Sequence, residues 1–137
     1  MGTDIKIGVE RGSGPWPGYL WNVWLLPFVF DEATGFLSCI QYQHSAMQIR
    51  ELAMEQDPTH PMTASVDAID DFHELRDTGG ILGGINLRIF FFLDKPKLSL
   101  VILGSINKQN NGPTPLGDRR RMARRKRNYL NGEYSGP

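Results

Sequence analysis

Cysteine is almost absent from this chain of 137 residues, and the chain contains no long hydrophobic run. Its one cysteine, Cys39, has no second cysteine with which to form an internal disulfide. The first apolar stretch, residues 20–30, is interrupted by Asn22 and Pro27 and has about half the length that a membrane-spanning helix needs. We therefore expect neither a disulfide-stapled fold nor a membrane-spanning segment.

A signal peptide is also missing from the start of the sequence, because no basic stretch followed by an apolar stretch occurs there. The three histidines, His44, His60 and His73, lack the spacing of metal ligands, and Cys39 has no companion. We therefore expect a cytoplasmic protein with no metal site and no cofactor. A chain of this length buries enough apolar surface for one ordinary domain, so we expect no second domain.

The formal net charge is zero, but the two halves of the chain carry opposite charges. Residues 1–78 contain four basic and twelve acidic side chains, whereas residues 79–137 contain eleven basic and three acidic ones. Seven of the nine residues in the segment 119–127 are arginine or lysine. Such a cluster indicates a polyanionic partner such as nucleic acid, or an acidic protein that covers it. Two plainer interpretations are a solvated basic tail and a neutralising contact with the acidic half.

The order of apolar segments and turn residues predicts an α+β fold. It has a small, largely antiparallel sheet, one or two helices in the first half and a basic C-terminal helix. Residues 1–18 are expected to be an irregular leader with at most a short strand over 5–9, residues 19–131 the domain, and residues 132–137 a tail. We expect strands over residues 19–30, 72–76, 85–93 and 98–103, a loop over 31–35 and a helix over 38–56.

Alternation along residues 85–93 requires that one face of that strand belongs to the core. The side chains expected to be buried are Leu87, Ile89, Phe91, Leu100 and Ile102.

The last helix has a clear start signal, with Thr114 as its cap and Pro115 at its first position. Its apolar residues lie in one sector that also contains Arg119 and Lys126. The helix can therefore pack on the sheet, with Arg125 on its outer face. Arg119 and Lys126 must reach solvent along their aliphatic stems or meet an acidic residue.

Several segments together resemble the RelE/HigB family of bacterial toxins. They are HELR at residues 73–76, NLRIFFF at 86–92, LVILG at 100–104, and the lysine-containing loop and arginine-rich helix that follow, with WNVW at 21–24 upstream. Such toxins usually act as ribosome-dependent endoribonucleases that cut mRNA, and a cognate antitoxin holds them inactive. The resemblance implies a RelE-like fold, with mRNA, the ribosome and an antitoxin protein as partners.

The resemblance also places functional basic groups at Arg76, Arg88 and Lys108. Cations there would stabilise the charge that develops when a ribose 2′-OH attacks the adjacent phosphate. Glu74 is the one plausible nearby base, although an ion pair is its more ordinary role. Arg88 could equally be a structural partner of Glu74 or Asp77, and Lys108 an exposed loop residue. The loop around Lys108 lacks the Tyr or His that many members use, so the acid–base assignment stays open.

The basic helix supplies the side chains expected to bind nucleic acid, namely Arg119, Arg120, Arg121, Arg124, Arg125 and Arg127. Two other functions fit the same sequence. One is a non-enzymatic module whose helix follows phosphates, and the other is a ParE-like member of the same fold, which poisons DNA gyrase through protein contacts. The strand positions of Arg76 and Arg88 favour the ribonuclease, because a pure binder needs only the helix.

Overall fold

A computed structural model describes residues 3–110 and 112–135, which form an α+β fold as predicted. Short 3-10 turns cover Gly80–Leu82 and Lys95–Lys97. The other elements, in chain order, are β1 (Lys6–Val9), β2 (Asn22–Leu25), α1 (Val29–Thr34), α2 (Cys39–Ala53), β3 (Ser65–Ile69), β4 (Phe72–Thr78), β5 (Asn86–Asp94), β6 (Ser99–Asn107) and α3 (Leu116–Leu130).

The strands form one sheet in the order β1-β2-β6-β5-β4-β3. Strands β2 and β6 run parallel, and the other four pairings are antiparallel. A parallel pair needs a long connection, and the helices and hairpins between β2 and β6 supply it. No helix in the described residues is long and apolar enough to cross a membrane.

Strand β5 is buried on both faces, whereas the sequence pattern required burial of only one face. Leu87, Ile89, Phe91, Leu100 and Ile102 are buried as predicted. The alternate residues Phe90 and Phe92 are buried too, because α3 packs on their face. The ring of Phe92 meets that of Tyr129 in α3 edge to face, 5.5 Å between centroids. This explains why residues 89–93 of β5 are continuously apolar rather than alternating between apolar and polar.

Residues 29–34 form helix α1, where we had expected the end of a strand and then a loop. Strand β2 ends at Leu25, shortly before Pro27, so the prediction of a strand over residues 19–30 is wrong beyond that point. The acidic side chains of Asp31 and Glu32 lie in the first turn of α1, where the positive end of the helix dipole favours them. Val29 and Ala33, four residues apart, form its buried face.

Helix α2 matches its prediction closely. Ser38 caps it, and its hydroxyl accepts from the backbone N–H of Gln41 while the Gln41 side chain accepts from the backbone N–H of Ser38. This reciprocal box satisfies two amide groups that a helix start leaves unpaired. The helix ends at Ala53, three residues before the end at Gln56 that the Asp57-Pro58 pair predicted.

Strand β3 was not predicted, and β1 lies in the segment expected to be largely irregular. Both are edge strands: β3 pairs with β4 and β1 with β2. Three of the five residues of β3 are exposed, so it lacks an apolar face that the sequence would reveal. A tight turn joins it to β4, with Asp70 in the left-handed region at φ 51°. Pairing with β4, rather than local pattern, forms this strand.

Helix α3 begins one residue later than predicted. Pro115 takes the position before its first turn, and Thr114 does not cap the helix. The Thr114 hydroxyl instead donates to the carboxylate of Glu74 at 2.5 Å, so a tertiary contact replaces the local cap. The helix ends at Asn131 as predicted, and Met122 is buried against the sheet.

Candidate nucleic-acid interface

The four predicted catalytic residues lie together on the sheet face that α3 covers. Arg76 in β4 stands directly opposite Arg88 in β5, and Glu74 lies two residues before Arg76 on the same face. Lys108 follows β6, and its backbone N–H donates to the carbonyl of Asn86 at the start of β5. The antiparallel β4–β5–β6 register therefore builds the cluster.

Glu74 is the centre of this cluster. It is buried, and its carboxylate accepts hydrogen bonds from Arg88 Nη1 at 2.9 Å, Arg76 Nε at 3.2 Å and the Thr114 hydroxyl at 2.5 Å. Both carboxylate oxygens are thus occupied. Glu74 therefore has the ion-pair role rather than a free basic one.

Arg88 and Lys108 are also buried. Arg88 forms an ion pair with Glu74. This is the structural role that the sequence left open for Arg88 beside the catalytic one. Lys108 was considered as an exposed loop residue, and that interpretation is wrong, because its Nζ donates to the backbone oxygen of Asn110 at 2.6 Å and to Asn110 Oδ1 at 2.7 Å. Burial lowers the pKa of Lys108, and the charges of Arg88 and Arg76 lower it further, against the opposing effect of Glu74.

Arg76 is the most exposed cation of the cluster, with 44% of its side chain accessible. It also pairs with Asp67 in β3, with Nη2 and Oδ2 2.5 Å apart. Arg76, Arg88 and Asn86 line an open cleft of about 460 Å³ at the end of the sheet. That volume is in the range of ordinary ligand clefts. Arg76 is thus accessible to a phosphate from this side, whereas Arg88 and Lys108 are buried.

The same cleft contains a carboxylate that holds a histidine. Asp77, which lines the cleft, accepts from Gln48 Nε2 at 2.6 Å and lies 2.7 Å from His44 Nε2. No local pattern predicts this contact, because 33 residues separate His44 from Asp77 and only the tertiary packing of α2 brings them together. A histidine hydrogen-bonded to a carboxylate is suited to proton transfer.

Three basic residues of α3 form close ion pairs with acidic residues from the first half of the chain, and a fourth, Arg121, lies farther away, 3.9 Å from Glu32. Arg119 pairs with Asp70 at 2.9 Å, and the proximity of the Arg119 guanidinium lowers the pKa of that carboxyl. Lys126 Nζ lies 3.4 Å from the carboxylate of Asp71. Both residues meet an acid, as their place in the apolar sector predicted. The neutralising contact between the two halves is therefore real, although it uses only part of the basic helix.

Arg125 is the third neutralised residue, and its predicted position on the outer face of α3 is wrong. Its guanidinium is buried and bidentate with Glu32 of α1, at 2.9 and 2.6 Å. It also donates to the backbone oxygen of Leu103 and lies over the ring of Phe28. The absence of a side chain at Gly104 makes room for it, since a Cβ there would lie only 2.5 Å from Arg125 Nη1.

The remaining exposed arginines of α3 form one stripe. Arg120, Arg124 and Arg127 are exposed, and none of them forms an ion pair within the described residues. Their spacing of four and three residues aligns them along one side of the helix. Arg121 is half-buried and pairs with Asp118 at 2.9 Å. We call Arg120, Arg124 and Arg127 the free stripe.

No protein-family model matches this chain, and no curated protein matches it. No three His, Cys, Asp or Glu side chains in the described parts of the chain are arranged to hold a metal ion. What the protein does must therefore be inferred from its own residues and contacts.

Proposed function

We propose that this protein is a toxin of the RelE/HigB type that cleaves mRNA on the ribosome. The observation that carries the proposal is the convergence of Arg76, Arg88 and Lys108, of which Arg76 and Arg88 line an open cleft. Within the described residues Arg88 pairs with Glu74, Arg76 pairs with Glu74 and Asp67, and Asp77 also lines the cleft, so these cations offer directed N–H donors rather than a net positive charge. A scissile phosphate that enters the cleft would first meet the exposed guanidinium of Arg76.

The reaction would need no covalent contribution from the protein. The ribose 2′-oxygen forms a bond to the adjacent phosphorus, the bond from phosphorus to the 5′-oxygen breaks, and a 2′,3′-cyclic phosphate and a 5′-hydroxyl result. One proton leaves the 2′-hydroxyl and one reaches the 5′-oxygen. Negative charge grows on the non-bridging oxygens, where the guanidinium groups of Arg76 and Arg88 would stabilise it. His44 contacts Asp77, which lines the cleft, but His44 does not itself line it, so the two proton transfers are not assigned to His44.

The direct test is induced expression followed by mapping of the 5′ ends of cellular mRNA. We expect new 5′ ends within translated messages, and cleavage by the purified protein only when ribosomes are present. If the purified protein cuts nothing in the presence of ribosomes, the ribonuclease proposal is wrong.

A second candidate, a non-enzymatic nucleic-acid-binding module, is favoured by a different observation. Arg88 and Lys108 are buried and have partners within the protein, whereas the free stripe on α3 is exposed. A module that only binds along a phosphate backbone would need the free stripe, and it would not need the buried cations. Binding without cleavage would identify this second function.

Removal of the free stripe should flatten the salt dependence of RNA binding. Each phosphate that a cation neutralises on single-stranded RNA adds roughly 0.7 to the slope of log K against log salt, so the substitutions Arg120→Gln, Arg124→Gln and Arg127→Gln together should reduce the slope by about 2. The measurement is fluorescence anisotropy of a labelled single strand over a salt series. A variant with Lys6, Lys95 and Lys97 changed to Gln loses the same charge from other exposed positions and should keep most of the slope. An unchanged slope in the arginine variant would mean that α3 does not touch RNA.

We also expect an acidic antitoxin to cover the cationic surface. A small reading frame beside this one should encode it, and co-expression should abolish toxicity, because the antitoxin and the substrate need the same charges. The measurement is growth after induction with and without the second frame. A complex in which the partner leaves Arg76, Arg88 and Lys108 open would contradict masking of the site.

A further inference from the structure

An apolar cavity lies between the sheet and helices α1 and α2, on the face opposite the cationic cluster. Its volume is about 240 Å³. Leu87 and Ile89 of β5 line it, whereas their neighbour Arg88 points to the other face. The other apolar side chains around it include Val23, Leu25, Leu37, Ile49 and Ile102.

The cavity is partly open to solvent, since Ile7 and Gly8 at its border are exposed. Its volume still exceeds the small voids that close packing leaves in a protein interior. An engineered apolar cavity of about 150 Å³ in another protein stays dry and binds benzene. The cavity here therefore has room for a molecule of at least that size.

One polar atom in the wall lacks a partner. Ser105 is 6% exposed and lines the cavity, and its hydroxyl oxygen has no hydrogen-bond partner among the described residues. A buried hydroxyl without a partner is unfavourable, because it has lost its water and gained nothing in return. The second buried serine in the wall, Ser45, is satisfied, since its hydroxyl donates to the backbone oxygen of Tyr42 at 2.7 Å.

The wall carries little charge. Burial raises the pKa of Tyr42, and the nearby charge of Arg50 opposes this effect. Arg50 is the one charged residue of the wall in the described structure, and it is exposed. A charged ligand would lose its hydration without gaining a buried counterion, so the cavity selects neutral molecules.

Entry is possible beside strand β1. Ile7, Gly8 and Val9 of this strand border the cavity. Strand β1 has four residues and lies at the sheet edge, where its one neighbour is β2. Short edge strands open more readily than central ones.

We propose that this cavity binds a small, neutral, largely apolar molecule with one hydrogen-bonding group, of the size of a substituted benzene ring. The ring would pack against the apolar wall, and the polar group would form a hydrogen bond with the Ser105 hydroxyl. This site is separate from the proposed RNA site and does not depend on it.

Phenol and toluene are suitable probes, because they have nearly the same shape and differ in the hydroxyl. We expect phenol to bind the full-length protein about ten-fold more tightly than toluene, the worth of one hydrogen bond to a buried group. Titration followed by amide chemical shifts would give both affinities and show whether the residues that shift line the cavity. If neither probe binds, or if toluene binds as tightly as phenol, the proposal is wrong.

Two substitutions locate the site. Ser105→Ala should remove the preference for phenol and leave toluene binding intact, whereas the matched Ser45→Ala should keep the preference, because the Ser45 hydroxyl is already paired within the protein. Ala46 also lines the cavity, so Ala46→Leu should fill the space and weaken the binding of both probes at least ten-fold. Binding that survives Ala46→Leu unchanged would place the probes elsewhere and overturn the proposal. The comparison of phenol with toluene on the parent protein needs no substitution, so it decides the matter even if a variant misfolds.

Discussion

Replacing Glu74 with glutamine should lower the free energy of unfolding by about 3 kcal/mol, the typical cost of breaking a buried ion pair by removing one partner. Glutamine has nearly the same shape, so the change removes charge and little volume. Arg88 would then be left in the interior without a counterion, and Thr114 would lose its carboxylate acceptor. Urea denaturation followed by circular dichroism, with the slope of the transition checked for constancy, measures the effect.

The matched control is Glu51→Gln, on an exposed position of α2. It removes the same charge at the surface and should change stability by less than about 0.5 kcal/mol. A double variant with Glu74→Gln and Arg88→Met should lose less than the two single changes together, because each single change already breaks the same pair. A Glu74→Gln protein as stable as the Glu51→Gln control would mean that this ion pair does not hold the sheet together.

Replacing Arg88 with alanine should lower the rate of mRNA cleavage by about 10²–10³, the usual loss for one donor that stabilises developing charge. The affinity for RNA or ribosomes should stay within a few-fold, because the free stripe on α3 is untouched. Arg88→Lys should recover only part of the rate, since an ammonium group lacks the planar two-donor geometry of a guanidinium. Single-turnover cleavage at saturating ribosome concentration is the appropriate measurement.

The control for the Arg88 experiment is Arg124→Gln. Arg124 is exposed on α3, so its loss should weaken binding and leave the rate at saturation nearly unchanged. Arg125 is unsuitable for this purpose, because it is buried against Glu32. Since Arg88 is buried and paired with Glu74, each variant must first be shown to be folded by circular dichroism at the assay temperature. A folded Arg88→Ala protein that cleaves as fast as the parent would exclude a catalytic role for this residue.

The sequence alone was sufficient for the elements whose pattern is local. Helix α2 has its own capping box, α3 has a proline before its first turn, and β5 and β6 contain continuous apolar runs. It also placed Glu74, Arg76, Arg88 and Lys108 on strands and a loop that are neighbours in the structure. Helix α1 and strand β3 were missed, because one is very short and the other is an exposed edge that forms only by pairing with β4.

The tertiary structure decided which charges are available to a partner. Arg124 and Arg125 are adjacent in the sequence, yet one is exposed and the other is buried against a carboxylate 93 residues away. Lys108 is buried for a similar reason, since the register between β5 and β6 sets its position beside Asn86. Local pattern identifies a side chain as charged, but its hydration and its counterion depend on which distant residues the fold brings within a few ångströms. The cost of burying a charge without a partner then determines which cations are paired inside the protein and which stay free on its surface.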